Sequence, residues 1–310
     1  MVAVEPKLTA IVVSYNVRPL LDACLESLRA AAAAAPDVPM RVLVVDNASG
    51  DGSAELVRER FPFAELRALE RNLGYGGGAN VGIRAATTPY VLLLNPDTEM
   101  RGDAPAAMVR FLEEHPAAGL VGPRLVYPDG SFQHSAFAFP TLAMSFLDFF
   151  PINHRLTGSR LNGRYPRAWY ERPFRVGHPL GACMCARRAA LEQVGGFDEG
   201  FFMYAEEVDL CWRIARTGWE IWYTPNATVV HHEGASTRQF RSEMLVELHK
   251  SRNRFFGMHY GRAFALGNRA IVCLGILRDL ARAALDRKRG RLSVDEWRER
   301  CRAYGRVLAV

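Results

Sequence analysis

Residues 8–16 read LTAIVVSYN: an unbroken apolar run that stops at Ser14, Tyr15 and Asn16. The same figure returns at 40–47 (MRVLVVDN) and at 90–97 (YVLLLNPD). A weaker run lies near Phe63–Leu69. Continuous apolar strands, buried on both faces, belong to parallel sheets covered by helices on each side. The intervening segments have helical signals. Pro19 precedes Leu21, Cys24, Leu25 and Leu28 on one face, Ser53 is placed to cap a helix carrying Leu56 and Val57, and a glycine-rich turn leads into a helix at about 78–86. Ligands in such sheets meet the carboxyl ends of the strands. Three of the four strands end there in polar groups: Ser14-Tyr15-Asn16, Asp46-Asn47 and Asn95-Pro96-Asp97.

The pattern changes after Pro116. Val121–Tyr127 and Phe132–Phe137 flank Pro128-Asp129-Gly130, a hairpin signal. Residues 138–175 are aromatic and irregular, long enough to suggest a functional loop. Leu180–Ala186 reads as a strand, Glu206–Thr217 as a helix, and Ile221–Tyr223 and Thr228–His231 as short strands. From Arg241 the chain reads as helical and basic. The expected division is a catalytic domain over 1–240, with a nucleotide-binding half of about 1–118 and an acceptor-side half of about 119–240. A helical extension follows over 241–310.

Residues 241–310 hold sixteen Lys/Arg against seven Asp/Glu, which leaves the first 240 residues at about −3 of the total of +6. The basic character therefore belongs to the extension, where an anionic membrane surface or a phosphate-bearing substrate fits it better than nucleic acid. No uncharged apolar run reaches the roughly 20 residues of a membrane span. Ala263–Leu285 is interrupted by Arg269, Arg278, Asp279 and Arg282 and reads as an amphipathic helix, packed or lying at a membrane surface. The six cysteines lack metal-site spacing, and no secretory signal precedes them. A reduced, cytoplasmic setting follows, peripheral to the membrane if the extension docks there.

Several residues could carry chemistry. Asp97, at a strand end beside a proline, suits Mg²⁺ or Mn²⁺, which prefer oxygen ligands and shared phosphates; alone it would more often be a turn aspartate. Asp46 could accept from a ribose or base, or cap its own turn. Asn72, Gly74 and Asn80 lie in NLGYGGGAN, where amides at a helix start could meet a diphosphate. Its G-x-G-x-x-A match hints at a dinucleotide fold, but that fingerprint belongs after the first strand. Glu206, Glu207 and Asp209 open a helix, where the dipole favours acids. They follow an aromatic loop that includes Phe202 and Tyr204, so one of them could be a general base in a partly apolar cleft. His231 and His232 could add nitrogen to a metal site, or be ordinary histidines.

VVSYN, VVDNASGDGS, RNLGYGGGANVGI, LLLNPD, GGFDEGFFMYAEEVDLCWR and HHEGAS, in that order over about residues 8–256, resemble glycosyltransferase family 2, and within it the rhamnosyltransferase-like branch. The resemblance implies a GT-A fold: α/β, with a Rossmann-like, mostly parallel sheet flanked by helices. It implies an inverting, metal-dependent sugar transfer from a nucleotide diphosphate donor to a glycan or polyprenyl-linked acceptor in cell-envelope polysaccharide synthesis. Ser14, Tyr15, Asp46, Asn72, Gly74, Asn80 and Asp97 would contact the donor. Asp97 and His232, four residues before Ser236, would hold Mg²⁺ or Mn²⁺. Glu207 falls on the catalytic base, with Asp209 a weaker alternative; Glu206, Tyr204, Phe202 and Trp169 would face the acceptor, and Arg252 and Arg254 could meet its phosphates. Two departures stand out: Asn95 replaces the first metal-motif carboxylate, and Glu207 replaces an aspartate. The branch points to dTDP-L-rhamnose, with a UDP-sugar or a catalytically inactive glycan-binding module as alternatives. An NAD-dependent oxidoreductase or a nucleotidyltransferase would need a glycine-rich signature directly after the first strand, which is absent. The oligomeric state stays open.

Overall fold

A computed structural model describes residues 5–151, 153–232 and 241–309. Ser236 and the rest of 233–240 lie outside the described residues. The elements run β1 (Leu8–Ser14), α1 (Arg18–Ala34), β2 (Met40–Asp46), α2 (Ser53–Arg60), β3 (Ala64–Ala68), α3 (Gly74–Ala85), β4 (Tyr90–Leu94), β5 (Thr98–Arg101), α4 (Ala104–Glu114) and β6 (Ala118–Val126). They continue with β7 (Phe132–Gln133), β8 (Ala136–Phe137), α5 (Leu142–Phe149), α6 (His154–Thr157), β9 (Phe174–Arg175), β10 (His178–Pro179), β11 (Cys183–Arg187), α7 (Arg188–Val194), α8 (Glu206–Arg216) and β12 (Glu220–His231). Three helices close the chain: α9 (Arg241–His259), α10 (Arg262–Lys288) and α11 (Val294–Ala309). The chain forms two compact units. One is Met1–Ala138 with Tyr165–Phe202 and Glu206–Arg238; the other is Phe139–Arg164 with Met203–Ala205 and Gln239–Val310.

The first unit is built on one sheet of order β3-β2-β1-β4-β11-β6-β12-β5. Its first four strands are parallel, as their apolar runs require. The sheet then becomes mixed, because β11 lies antiparallel between β4 and β6 while β12 runs parallel to β6. β1 is buried along its whole length, and Leu21, Cys24, Leu25 and Leu28 of α1 pack into the same core. Register pairs Ser14 with Asp46, so the two strands end side by side.

The structure corrects four local expectations. α3 begins at Gly74 rather than near 78, so the glycines are helical. Close packing demands them there: a Cβ on Gly82 would stand 2.4 Å from Ile11 Cγ2, and Gly74 has φ +75 with the Phe202 carbonyl 2.2 Å from where a Cβ would sit. Ser53 does not cap α2; Asp51 Oδ1 accepts from both the Ser53 amide (3.1 Å) and its hydroxyl (2.6 Å). The two short strands at 221–223 and 228–231 are one strand, β12, with an irregularity between Thr224 and Thr228. Part of the segment 138–175 is helical, since Thr141 caps α5 through the Met144 amide.

The second unit is helical. Val272, Ile276 and Val307 form its centre, with Phe149, Leu245, Val246, Leu280 and Tyr304 packed against them. Ser293 and Glu296 start α11 as a reciprocal capping box. Among the described residues no helix is long and apolar enough to cross a membrane.

Candidate active site

The loops after β1 and β2 are stitched together. Asn16 donates its amide to Ser49 Oγ (3.0 Å) and accepts the Gly50 amide at Oδ1 (2.8 Å), with its own φ at +52. The Arg18 amide donates to Asp51 Oδ2 at 2.8 Å. This bracing holds a short row of polar groups at the strand ends. Asp46 is buried; its Oδ2 accepts the Ser49 amide at 2.9 Å. Its Oδ1, and the neighbouring Ser14 Oγ, find no hydrogen-bond partner among the described residues. Buried polar atoms are normally satisfied, so two side by side at a strand end mark a place prepared for a ligand's donors and acceptors. Tyr15, next to them, is exposed.

α3 closes one side of this row. Asn47, buried, donates to the Gly74 carbonyl (3.0 Å) and accepts from the Leu73 amide (3.3 Å). The first amides of α3 are largely engaged inside the protein: Gly74 N donates to Asn72 Oδ1 (2.8 Å) and Tyr75 N to the Phe202 carbonyl (3.3 Å). Asn80 faces the other way. Its amide clamps the loop at 197–199, donating to the Phe197 carbonyl and Glu199 and accepting from the Phe197 amide.

Asp97 and Thr98 are buried at the turn from β4 to β5. Two histidines lie at the end of β12: His231 is its last residue and His232 follows it. His231 is buried, with Nε2 3.6 Å from Asp97 Oδ1 and Nδ1 3.1 Å from Gln133 Oε1. His232 donates its backbone amide to the Asp97 carbonyl (2.9 Å), but its ring sits 2.7 Å from Glu99 Oε1. The structure thus brings His231, rather than His232, to the Asp97 carboxylate. No cluster of three or more His, Cys, Asp or Glu is arranged to hold a metal among the described residues. One carboxylate and one imidazole fit a divalent cation only as a partial donor set, completed by the oxygens of a phosphate ligand and water.

The acids at the start of α8 differ sharply from one another. Asp209 is fully buried and paired with Arg213 (2.6 Å), which also donates to the carbonyls of Val194 and Gly196. Glu206 is buried, and its Oε2 has no partner among the described residues. Burial, and then the charge of Glu207, push its carboxyl well above the usual range. Glu207, half-buried, is also raised by burial, against the pull of the amides of Glu207 and Val208. Its side chain lies over Gly181, where a Cβ would stand 3.3 Å from Glu207 Cγ. Tyr204 and Ala205, just before α8, both have positive φ (67 and 62), a conformation non-glycine residues hold only when their surroundings impose it.

Tyr75 links the groups. Its hydroxyl lies 3.5 Å from the Gly181 carbonyl. Burial, then the charges of Glu206, Glu207 and Asp97 among its neighbours, raise it well above its ordinary range. Tyr75 and Glu207 therefore both meet the same residue, Gly181. Trp169 lies in an aromatic cluster instead, stacked on Tyr165 (5.8 Å) and edge-on to Phe174. Phe202 is exposed while its carbonyl caps Tyr75. The sequence reading named Asn47 only as part of the polar end of β2, and did not single out Tyr75 or Glu99. The signal for the first two was their position inside the motifs, each beside a residue already chosen.

Comparison with known proteins agrees with this architecture. Residues 9–195 match the model of "Glycosyl transferase family 2". The N-acetylglucosaminyl-diphospho-decaprenol L-rhamnosyltransferase of Mycobacterium tuberculosis is 35% identical over 260 residues, 79% of this chain and 82% of that protein. The mannosyltransferase PcManGT of Pyrobaculum calidifontis, solved with GDP-Man and Mn²⁺, superposes with a TM-score of 0.58 at 20% identity, over 99% of this chain and 88% of that one. GalNAc-T7, solved with UDP, GalNAc and Mn²⁺, gives 0.51 at 15% identity; the match covers 73% of this chain and 44% of that longer one. These likenesses establish the GT-A arrangement of the sheet and its flanking helices.

Proposed function

The chain belongs to glycosyl transferase family 2, and from that premise we propose that it transfers L-rhamnose from dTDP-L-rhamnose to a hydroxyl of a lipid-linked glycan acceptor, with inversion, in cell-envelope polysaccharide synthesis at the cytoplasmic face of the membrane. The observation that carries the chemistry is Glu207, half-buried over Gly181, whose carbonyl lies 3.5 Å from the Tyr75 hydroxyl, with the Glu207 carboxyl raised by burial. The rhamnose donor and the lipid-linked acceptor are supported by the 35% identity to a decaprenol-linked rhamnosyltransferase over most of both chains.

Asp46 and Ser14 hold the nucleoside through their unfilled hydrogen-bonding atoms. Asp97 would hold the cation, Mg²⁺ or Mn²⁺, with His231, whose Nε2 lies 3.6 Å from its carboxylate, as the imidazole partner. When bound, such a cation supplies positive charge to the departing diphosphate. Glu207 accepts the proton of the acceptor hydroxyl as that oxygen forms its bond to the anomeric carbon and the bond to the diphosphate breaks. Burial, and then the charge of Glu207, raise the Glu206 carboxyl, so the half-buried Glu207 is the member of the pair placed to act as the base.

Turnover of dTDP-L-rhamnose and a panel of UDP-sugars, with and without Mn²⁺ and a polyprenyl-diphosphate N-acetylglucosamine acceptor, tests the reading. Release of dTDP that depends on acceptor and metal is expected. Turnover confined to a UDP-sugar would replace the donor, and calorimetry showing no affinity for any nucleotide sugar would end the transferase reading. His231→Ala and His232→Ala, compared for Mn²⁺-dependent affinity for dTDP, assign the imidazole. Loss of affinity only in His232→Ala would return that role to the residue the family motif indicates.

A further inference from the structure

α10 is apolar on two opposite faces. One face, with Val272, Gly275 and Ile276, is buried in the helical unit, where Gly275 lets the Phe149 ring lie against the helix. The opposite face carries Ala263, Leu266, Ala270, Leu274, Leu277 and Leu285, which fall on one stripe at 3.6 residues per turn. Its leucines are among the most exposed large apolar side chains described: Leu266 68%, Leu277 61%, Leu274 60% and Leu285 52%. A helix with a second apolar stripe has a second face suited to being covered. Contiguous exposed apolar surface of this kind marks an interaction surface.

The stripe has cationic margins. Arg262 and Arg269 lie along one side and Arg278 and Arg282 along the other; Arg269 and Arg278 also donate to the carbonyls of Leu308 and Phe149, which leaves Arg262 and Arg282 as the margins turned to solvent. Near its start, Asn253, Arg262, Ala265, Leu266 and Arg269 line a cavity of about 300 Å³. The 70 residues from Arg241 hold sixteen Lys/Arg against seven Asp/Glu. An apolar stripe bordered on both sides by arginines, on a helix without the hydropathy to span, is the pattern of a helix lying in the plane of an anionic bilayer. A second copy of the chain would bring these arginine margins against identical ones, so charge complementarity selects the bilayer.

We propose that the outer face of α10 docks this protein on an anionic lipid surface, its leucines entering the headgroup–acyl boundary and its flanking arginines meeting lipid phosphates. The inference deepens the lipid-linked acceptor reading and rests on it for its purpose. Its test uses neither donor nor acceptor, so either can fail alone. The full chain is co-sedimented with vesicles of phosphatidylglycerol in phosphatidylcholine, and with vesicles of phosphatidylcholine only. Binding is expected on the anionic vesicles and should weaken as salt rises from roughly 0.1 to 0.5 M. Arg262→Gln/Arg282→Gln should lower that binding about 30-fold, at about 1 kcal/mol for each arginine. Leu266→Ser/Leu274→Ser/Leu277→Ser should lower it at least ~10-fold at unchanged thermal midpoint, since these side chains are already in solvent. Unchanged vesicle binding in both variants would overturn the proposal. So would sedimentation velocity showing that the leucine variant loses self-association while binding vesicles as before; the face would then be a contact between copies.

Discussion

The strand ends of the sheet and the first turn of α8 both gather acids, and they hold them in opposite ways. At β1 and β2 the backbone does the holding: strand register sets Asp46 beside Ser14, loop amides fix one carboxylate oxygen, and the other is left unfilled. At α8 the three acids are sorted by burial and pairing. Asp209 has Arg213, Glu206 is buried with an unfilled oxygen, and Glu207 lies half-open above Gly181. A rigid strand end suits recognition, which needs fixed partners for groups that do not change. Acids of unequal proton affinity suit a step in which a proton moves.

The largest effect should come from the pairing at α8. Arg213→Ala removes the ion-pair partner of the fully buried Asp209 and also the donors to the carbonyls of Val194 and Gly196. Breaking one side of such a pair costs about 3 kcal/mol. The urea unfolding midpoint should fall accordingly, and an unchanged midpoint would mean that Asp209 is not the structural member of the three.

Next comes the reactive member. Glu207→Gln should reduce transfer by at least ~10²-fold while donor affinity stays nearly constant. Equal losses in both would move Glu207 from proton transfer to binding. The pH profile sharpens the point. Burial raises the Glu207 pKa above its ordinary 4.5, so the reactive carboxylate is depleted at a higher pH than usual. Transfer at saturating donor should therefore rise with pH through that elevated value. A rate already flat from pH 5 upward would contradict the burial that sorts the α8 acids.

The two regions were not equally legible in the sequence. Continuous apolar runs belong to buried strands, so β1, β2 and β4 and their polar ends could be read directly, while β3, AELRA at the sheet edge, gave a weaker signal. The α8 acids could be listed, but not sorted, because the sorting depends on partners distant in sequence: Gly181 beneath Glu207, and the carbonyls of Val194 and Gly196 that hold Arg213. The histidine pair shows the same limit. Which ring meets Asp97 depends on how the chain leaves β12 beside β5, a strand too short and polar to announce itself; the register, which pairs His231 with Thr98, does not by itself decide it. The glycines of α3 misled locally for a related reason. Their chemistry resembles a turn, and only the approach of Ile11 and Phe202 explains glycine inside a helix.

The smallest effect belongs to the strand ends, where it tests recognition by itself. Asp46→Asn keeps an oxygen for the Ser49 amide and keeps the shape of the loop, yet removes the charge from the unfilled oxygen. A hydrogen bond to a charged group contributes about 1.5 kcal/mol or somewhat more, so affinity for dTDP should fall about 10-fold by calorimetry. Transfer at saturating donor should be nearly unchanged, because a contact made equally in ground and transition states does not alter the chemical step. If the rate at saturation fell with the affinity, the strand ends would be acting on the reaction as well as on the donor, and the contrast with α8 would fail from its other side.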